Sequence, residues 1–182
     1  GGPLPTYLDP EHPVQRLILE NLADCAGISP QQIEPGVDGC SAPNFAMPLA
    51  QMATAFARLG RPQDAGALAP ALRRIGEAMH LHPWLISGSN GFDTALMRYP
   101  QARFICKAGA EGLQCVALPM LGLGLAVKVE SGLGDRIGAV VLAIRGSGGS
   151  SSRMLSSSST TPLTISSGSR ASGRSSNASA AR

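Results

Sequence analysis

The sequence predicts an α+β fold, with helices packed on an antiparallel sheet. Three observations carry this. Apolar residues recur at three- and four-residue spacing through the first hundred positions, the period shortens to two across residues 102–130, and glycine turns separate the alternating runs. In order, Asp9-Pro10-Glu11-His12-Pro13 reads as a helix entry with Asp9 as N-cap and Pro10 in the first turn. Val14, Leu17, Ile18, Leu22 and Cys25 continue it as an apolar stripe, giving a helix over about 10–26 that stops at Gly27. Met47, Met52, Ala53, Phe56 and Leu59 predict a helix over about 44–60, ended by Gly60-Arg61-Pro62. Leu68, Leu72, Ile75 and Met79 predict another over 64–81, closed by Pro83. Ser87 to Gly91 reads as a loop and Phe92 to Arg98 as a short helix.

The period then changes. Arg103-Phe104-Ile105-Cys106, Leu113 to Leu118 and Leu123 to Val129 predict three strands in an antiparallel meander, and a last helix is expected over 135–145. Residues 1–146 read as one folded unit. Beyond them serine fills 15 of the positions 147–182, with glycine, threonine, alanine and arginine most of the rest. A segment of that composition buries too little apolar area to offset backbone ordering of about 1–2 kcal/mol per residue, so a disordered tail is expected.

The net charge of +3 invites a nucleic-acid reading, but its position argues against one. Residues 1–146 hold 11 basic and 12 acidic side chains, and the excess comes from Arg153, Arg170, Arg174 and Arg182 in the tail. Arginines without interleaved aromatics make a weak phosphate stripe, so no nucleic-acid partner is expected. No apolar run approaches the roughly 20 residues that span a bilayer, and no membrane partner is expected either. Cys25, Cys40, Cys106 and Cys115 lie far apart without a C-x-x-C pair, which does not resemble a secreted disulfide framework; a cytoplasmic location is expected. The opening Gly1-Gly2-Pro3-Leu4-Pro5 has neither a methionine nor a signal-like stretch, and suggests that the start of the protein lies upstream.

Three constellations could carry chemistry. Gly36-Val37-Asp38-Gly39-Cys40-Ser41 precedes a predicted helix, where backbone N–H groups would favour a thiolate. Cys40 then reads as a metal ligand or nucleophile, or as a turn cysteine that only packs. His80 and His82 form an H-x-H pair, but on a helix i and i+2 point about 200° apart, which chelates poorly. Ser87, Ser89 and Thr94 offer hydroxyls that face a substrate or bond local backbone. The third and sharpest is Cys106-Lys107-Ala108-Gly109-Ala110-Glu111-Gly112. It puts a lysine at a strand end followed by glycines that admit a ligand to the backbone. Such a lysine activates a serine hydroxyl, binds a carboxylate, or is simply solvated in a hairpin. Lys128 is a second candidate of this kind.

Together and in order, these motifs resemble a known family. Tyr7 to Gln15, Gly36-Val37-Asp38-Gly39-Cys40, Pro48-Leu49, Phe56-Ala57-Arg58-Leu59, Met79 with His82-Pro83, Phe92-Asp93-Thr94 with Leu96-Met97, Lys107 to Gly112, and Gly122-Leu123-Gly124 ahead of Lys128 look like the Rhizobium-type L-asparaginase family, also called the asparaginase II family. The resemblance covers about residues 6–145. It implies a serine β-lactamase and glutaminase-like fold, hydrolysis of L-asparagine or a similar small amide through Ser–Lys pairs, a zinc-type metal held by two cysteines and a lysine, and a homodimer. By motif it makes Lys107 the catalytic partner of a serine, Cys40 a metal ligand, and Gly109 and Glu111 part of the substrate site. The family's catalytic serines and its Cys-Ser-Gly-Lys-His metal segment lie N-terminal to the counterpart of Tyr7 and have no match here. The chain therefore reads as the C-terminal half of such an enzyme, inactive and without stoichiometric zinc by itself. The alternative is a truncated or frameshifted fragment without independent function, the serine-rich tail being what a GC-rich message read out of frame would encode.

Overall fold

The computed structural model describes residues 4–100, 102–132, 134, 138 and 163–168. Helix α1 spans Pro13–Ala26. Its N-cap is His12, whose Nδ1 accepts the Val14 N–H at 3.2 Å. Asp9, expected as the cap, instead accepts the Glu11 N–H one turn earlier. The correction follows from Pro13: a residue before proline is driven out of the α region, and His12 at φ −60° and ψ 138° is held extended, so the helix starts after it. Gly27, at φ +73°, ends the helix as expected.

A hairpin follows, β1 (Glu34–Val37) paired with β2 (Pro43–Ala46), and then α2 (Leu49–Gly60). The helix expected from residue 44 is thus a strand at its start. Pro48 explains this, because it holds the preceding Met47 out of the α region and itself serves as the N-cap. The helix expected over 64–81 is also shorter. Short 3-10 turns at Pro62–Asp64 and Gly66–Leu68 precede α3 (Ala69–Leu81), and Gly66 at φ +55° is incompatible with a continuous α-helix. Pro83 opens rather than closes an element, the single turn α4 (Trp84–Ser87), and α5 is Phe92–Met97.

The meander forms, with β3 (Ile105–Gly109), β4 (Leu113–Leu118) and β5 (Leu123–Val129) antiparallel in sequence order, but the first strand, expected over 103–106, is shifted to start after Arg103, which takes φ +48°, and runs through Lys107 to Gly109. A fourth strand, β6 (Leu163–Gly168), pairs antiparallel with β5. The expectation of a structureless tail is corrected at this stretch. Thr164 and Ile165 are β-branched residues that favour a strand, and the backbone of Leu163–Gly168 takes up the ladder groups that β5 would otherwise leave open. The rest of the tail and the helix expected over 135–145 lie outside the described residues, Gly138 excepted.

Side chains of alternate parity sort the sheet into two faces. Cys106, Val116, Leu125, Val127 and Val129 pack with Leu96 and Met97 of α5 and with Phe104. Burial of a side chain such as Val127 contributes roughly 1.5–3 kcal/mol. Cys115 and Ala126, on the other face, pack with Ala53 of α2, flanked by Leu49, Met52 and Phe56. Arg58 of α2 ties this helix to α1: its Nη1 donates to the carbonyls of Asp24 and Cys25 (3.0 Å to Cys25), two of the orphan acceptors at the end of α1. Replacing Arg58 by alanine is expected to lower stability by about 1.5–3 kcal/mol, the range for hydrogen bonds to a charged group. Thermal melts of Arg58→Ala beside Arg58→Lys check this; equal melting temperatures for both and the parent would show that the cap contributes nothing.

Candidate active site

The motif Lys107-Ala108-Gly109 lies on β3, an outer strand of the four-stranded sheet, and its residues are exposed while Ile105 and Cys106 are buried. Gly109 faces Leu113 across the hairpin, and Ala110-Glu111-Gly112 makes the turn. Glu111 and Gly112 take φ of +53° and +71°. Gly112 also has Val129 and Gly132 against the position of a Cβ, so glycine is required there on both counts.

Asp93, in the first turn of α5, anchors this strand. It is 1% exposed. Its Oδ2 accepts the Ala108 N–H and its Oδ1 accepts from Gln114 Nε2, each at 2.8 Å. Both oxygens thus act as acceptors. The Cys106 thiol donates to the backbone carbonyl of Asp93 at 3.5 Å. Burial, with the Asp93 charge adding to it, pushes that thiol far up. Burial alone pushes Cys115 up to about 11.

A cleft of about 340 Å3 opens at this end of the sheet, lined by Phe92, Ala108, Gly109, Gly112, Leu113 and Gln114, with Gly134 and Gly138. The Lys107 Nζ donates to the Ala108 carbonyl at 2.5 Å, at the edge of the sheet; Lys107 pairs with Cys115, on the side of the sheet that faces α2, and is not among the residues that line the cleft. Glu111 stands at the hairpin tip, where its carbonyl accepts from Lys128 Nζ and its carboxylate lies 3.8 Å from the same amine. Lys128 is thereby committed to holding the turn.

The other candidates are placed elsewhere. The Ser87 hydroxyl accepts the Thr94 N–H and lies 3.2 Å from Thr94 Oγ1, which itself lies 2.6 Å from the Gly88 carbonyl and 3.0 Å from that of Pro83. These are the backbone-bonding roles left open by the sequence, and they close the turn into α5. His82 packs edge-on against Trp84. Cys40 is exposed in the β1–β2 turn, where Asp38 Oδ1 accepts the Gly39 N–H and Ser41 has φ +67°. It does not precede a helix, so no helix N-terminus acts on its thiol. A zinc site takes three or four protein ligands. Among the described residues no three His, Cys, Asp or Glu side chains come together.

The family model of L-asparaginase II matches residues 1–170. The chain belongs to the L-asparaginase II family. No curated protein gives a significant match. The family match extends beyond residues 6–145, which carry the motifs, into the serine-rich segment that contains β6. Among the described residues no helix is long and apolar enough to cross a membrane.

One site residue escaped the sequence reading. Gln114 is 2% exposed on the face that carries Val116 and Leu125, and it lines the cleft. The available signal was a polar residue in an otherwise apolar row of a strand, which needs a buried partner.

The thiols give a direct check of this arrangement. Cys40 is expected to react first with a thiol reagent in the native protein, with Cys106 and Cys115 protected by burial and their raised ionisation until unfolding. Rapid labelling of all four cysteines at neutral pH, read by mass spectrometry, would contradict the packing described.

Proposed function

We propose that this chain carries the lysine half of a site that hydrolyses the side-chain amide of L-asparagine, giving L-aspartate and ammonia. The observation that supports this is the exposed Lys107 on the edge strand β3, its amine bonded to the carbonyl of the cleft-lining Ala108, within an asparaginase-family chain. Lys107 takes the proton from a serine hydroxyl as that oxygen attacks the amide carbon, and returns it to the nitrogen as ammonia departs. Water then hydrolyses the acyl ester. Gly109 leaves the backbone accessible to the substrate, and Glu111 keeps the hairpin in shape through Lys128.

Among the described residues, no serine hydroxyl hydrogen-bonds Lys107 Nζ. A second feature of the proposal, resting on the lack of any match here to the family's catalytic serines, is that the chain by itself does not turn over substrate. Ammonia release from L-asparagine is expected to be undetectable with the purified chain, and to appear when the family's Ser–Lys segment is supplied in trans. Turnover by the chain alone, unaffected by Lys107→Ala, would overturn the assignment.

A further inference from the structure

Among the described residues, the strand that carries Lys107 has a ladder partner on one side only, β4. An outer strand can slip against its neighbour, and a slip of one residue turns every side chain to the other face of the sheet. One residue opposes that slip. The backbone carbonyl of Asp93 accepts the Cys106 thiol at 3.5 Å, and its Oδ2 accepts the Ala108 N–H at 2.8 Å. Asp93 thus grips the residues immediately before and after Lys107, both from the side of α5, where Cys106 packs with Leu96 and Met97. Side chains alternate along a strand, so Lys107 is turned the other way, to the side where its partner Cys115 packs with Ala53 of α2. The Ala108 N–H also belongs to the planar peptide unit that begins at the Lys107 carbonyl, so the bond to Asp93 fixes the orientation of that unit. The second carboxylate oxygen of Asp93 accepts from Gln114, the ladder partner of Ala108. One buried carboxylate therefore clamps a single register pair, and no slipped register presents the same two donors to it.

Resting on the amide-hydrolase reading, we propose that Asp93 is a positioning residue for that reaction, which locks the register of β3 so that Lys107 presents its amine on the α2 side of the sheet. Asp93 acts through the strand backbone, from the opposite face, and touches neither the lysine amine nor the reacting amide. Its place in the first turn of α5 suits this role, because Leu96 and Met97 root that helix in the core.

The test uses the assay supplied with the family's Ser–Lys segment and follows kcat and KM separately. Asp93→Ala should lower kcat about 100-fold with KM little changed, the loss expected when a reacting group is misplaced by about 1 Å. Asp93→Asn still offers an acceptor to the Ala108 N–H and is expected to keep kcat near that of the parent, since position is what the site requires. Thr94→Val is the structural control. It removes hydrogen bonds from the next residue of α5, whose hydroxyl partners are the Pro83 and Gly88 carbonyls, so it should lower the melting temperature and leave kcat unchanged. Ala108→Pro removes the Asp93 bond from the strand side, proline being tolerated on an outer strand where the N–H does not join the ladder. It should repeat the loss of kcat, and it decides the question if Asp93→Ala does not fold. Retention of kcat by either variant when folded, or an equal loss in Thr94→Val, overturns the inference. Loss of kcat in Lys107→Ala with retention in the Asp93 and Ala108 variants leaves the amide-hydrolase reading standing without it. Retention of kcat in Lys107→Ala, or no turnover on adding the segment, overturns that reading and the inference with it.

Discussion

Gly124→Ala is expected to be among the most destabilising single substitutions in this protein, lowering stability by about 3 kcal/mol or more. A Cβ at Gly124 would sit 1.8 Å from the Ala53 carbonyl oxygen and 2.5 Å from the Ala57 nitrogen. Both are backbone atoms of α2, so neither can swing aside as a side chain would. Relief requires moving the whole helix off the sheet, which opens the packing of Ala53 on Cys115 and Ala126. Gly39 provides the control, since nothing lies within 4 Å of its Cβ position. Gly39→Ala should change stability by no more than about 0.5 kcal/mol, as for a typical surface site. Denaturant titrations of the two variants check the contrast. A Gly124→Ala chain with unchanged midpoint and slope would show that α2 does not lie on β5 at the distance described.

Lys107→Ala should have the opposite profile, with large loss of activity and no loss of fold. In the assay supplied with the family's Ser–Lys segment, removal of a positioned acid–base group is expected to lower kcat about 10²–10⁴-fold. Lys107 is exposed and its amine meets only the neighbouring Ala108 carbonyl, so the melting temperature should stay with the parent. Lys107→Arg should not restore turnover, because a guanidinium stays protonated and cannot take the serine proton. A fall in KM-linked binding with kcat preserved would instead assign Lys107 to substrate capture. Activity retained by Lys107→Arg would show that positive charge alone, rather than proton transfer, is what the site requires.

Much of this was legible in the sequence because the signals are local. Alternation in Leu113–Leu118 and Leu123–Val129, with Gly112 and Gly122 at the turns, is enough to specify a meander, since side chains on a strand can only alternate. The stripe of α1 and its stop at Gly27 are equally local. Helix starts were less legible where prolines compete. His12, Met47 and Gly66 each decide a boundary through backbone conformation, and the apolar period continues across them without a mark. The Lys107 motif was visible as a lysine followed by glycines, although the strand expected to end there runs on to Gly109, and the family follows from the order of motifs along the chain.

By itself, then, the sequence determined the α+β class, the meander, the family and the candidate lysine. Tertiary structure alone decided what surrounds that lysine. Asp93 lies 15 positions from Ala108 and 21 from Gln114, and only the packing of α5 on the sheet closes those bonds. It also decided that Lys128 holds Glu111, that Ser87 belongs to a turn, and that Leu163–Gly168 extends the sheet. The physical reason is the same in each case. Periodicity and turn chemistry are properties of neighbours in the chain, whereas a hydrogen bond between distant residues exists only once the hydrophobic faces have docked and fixed their separation.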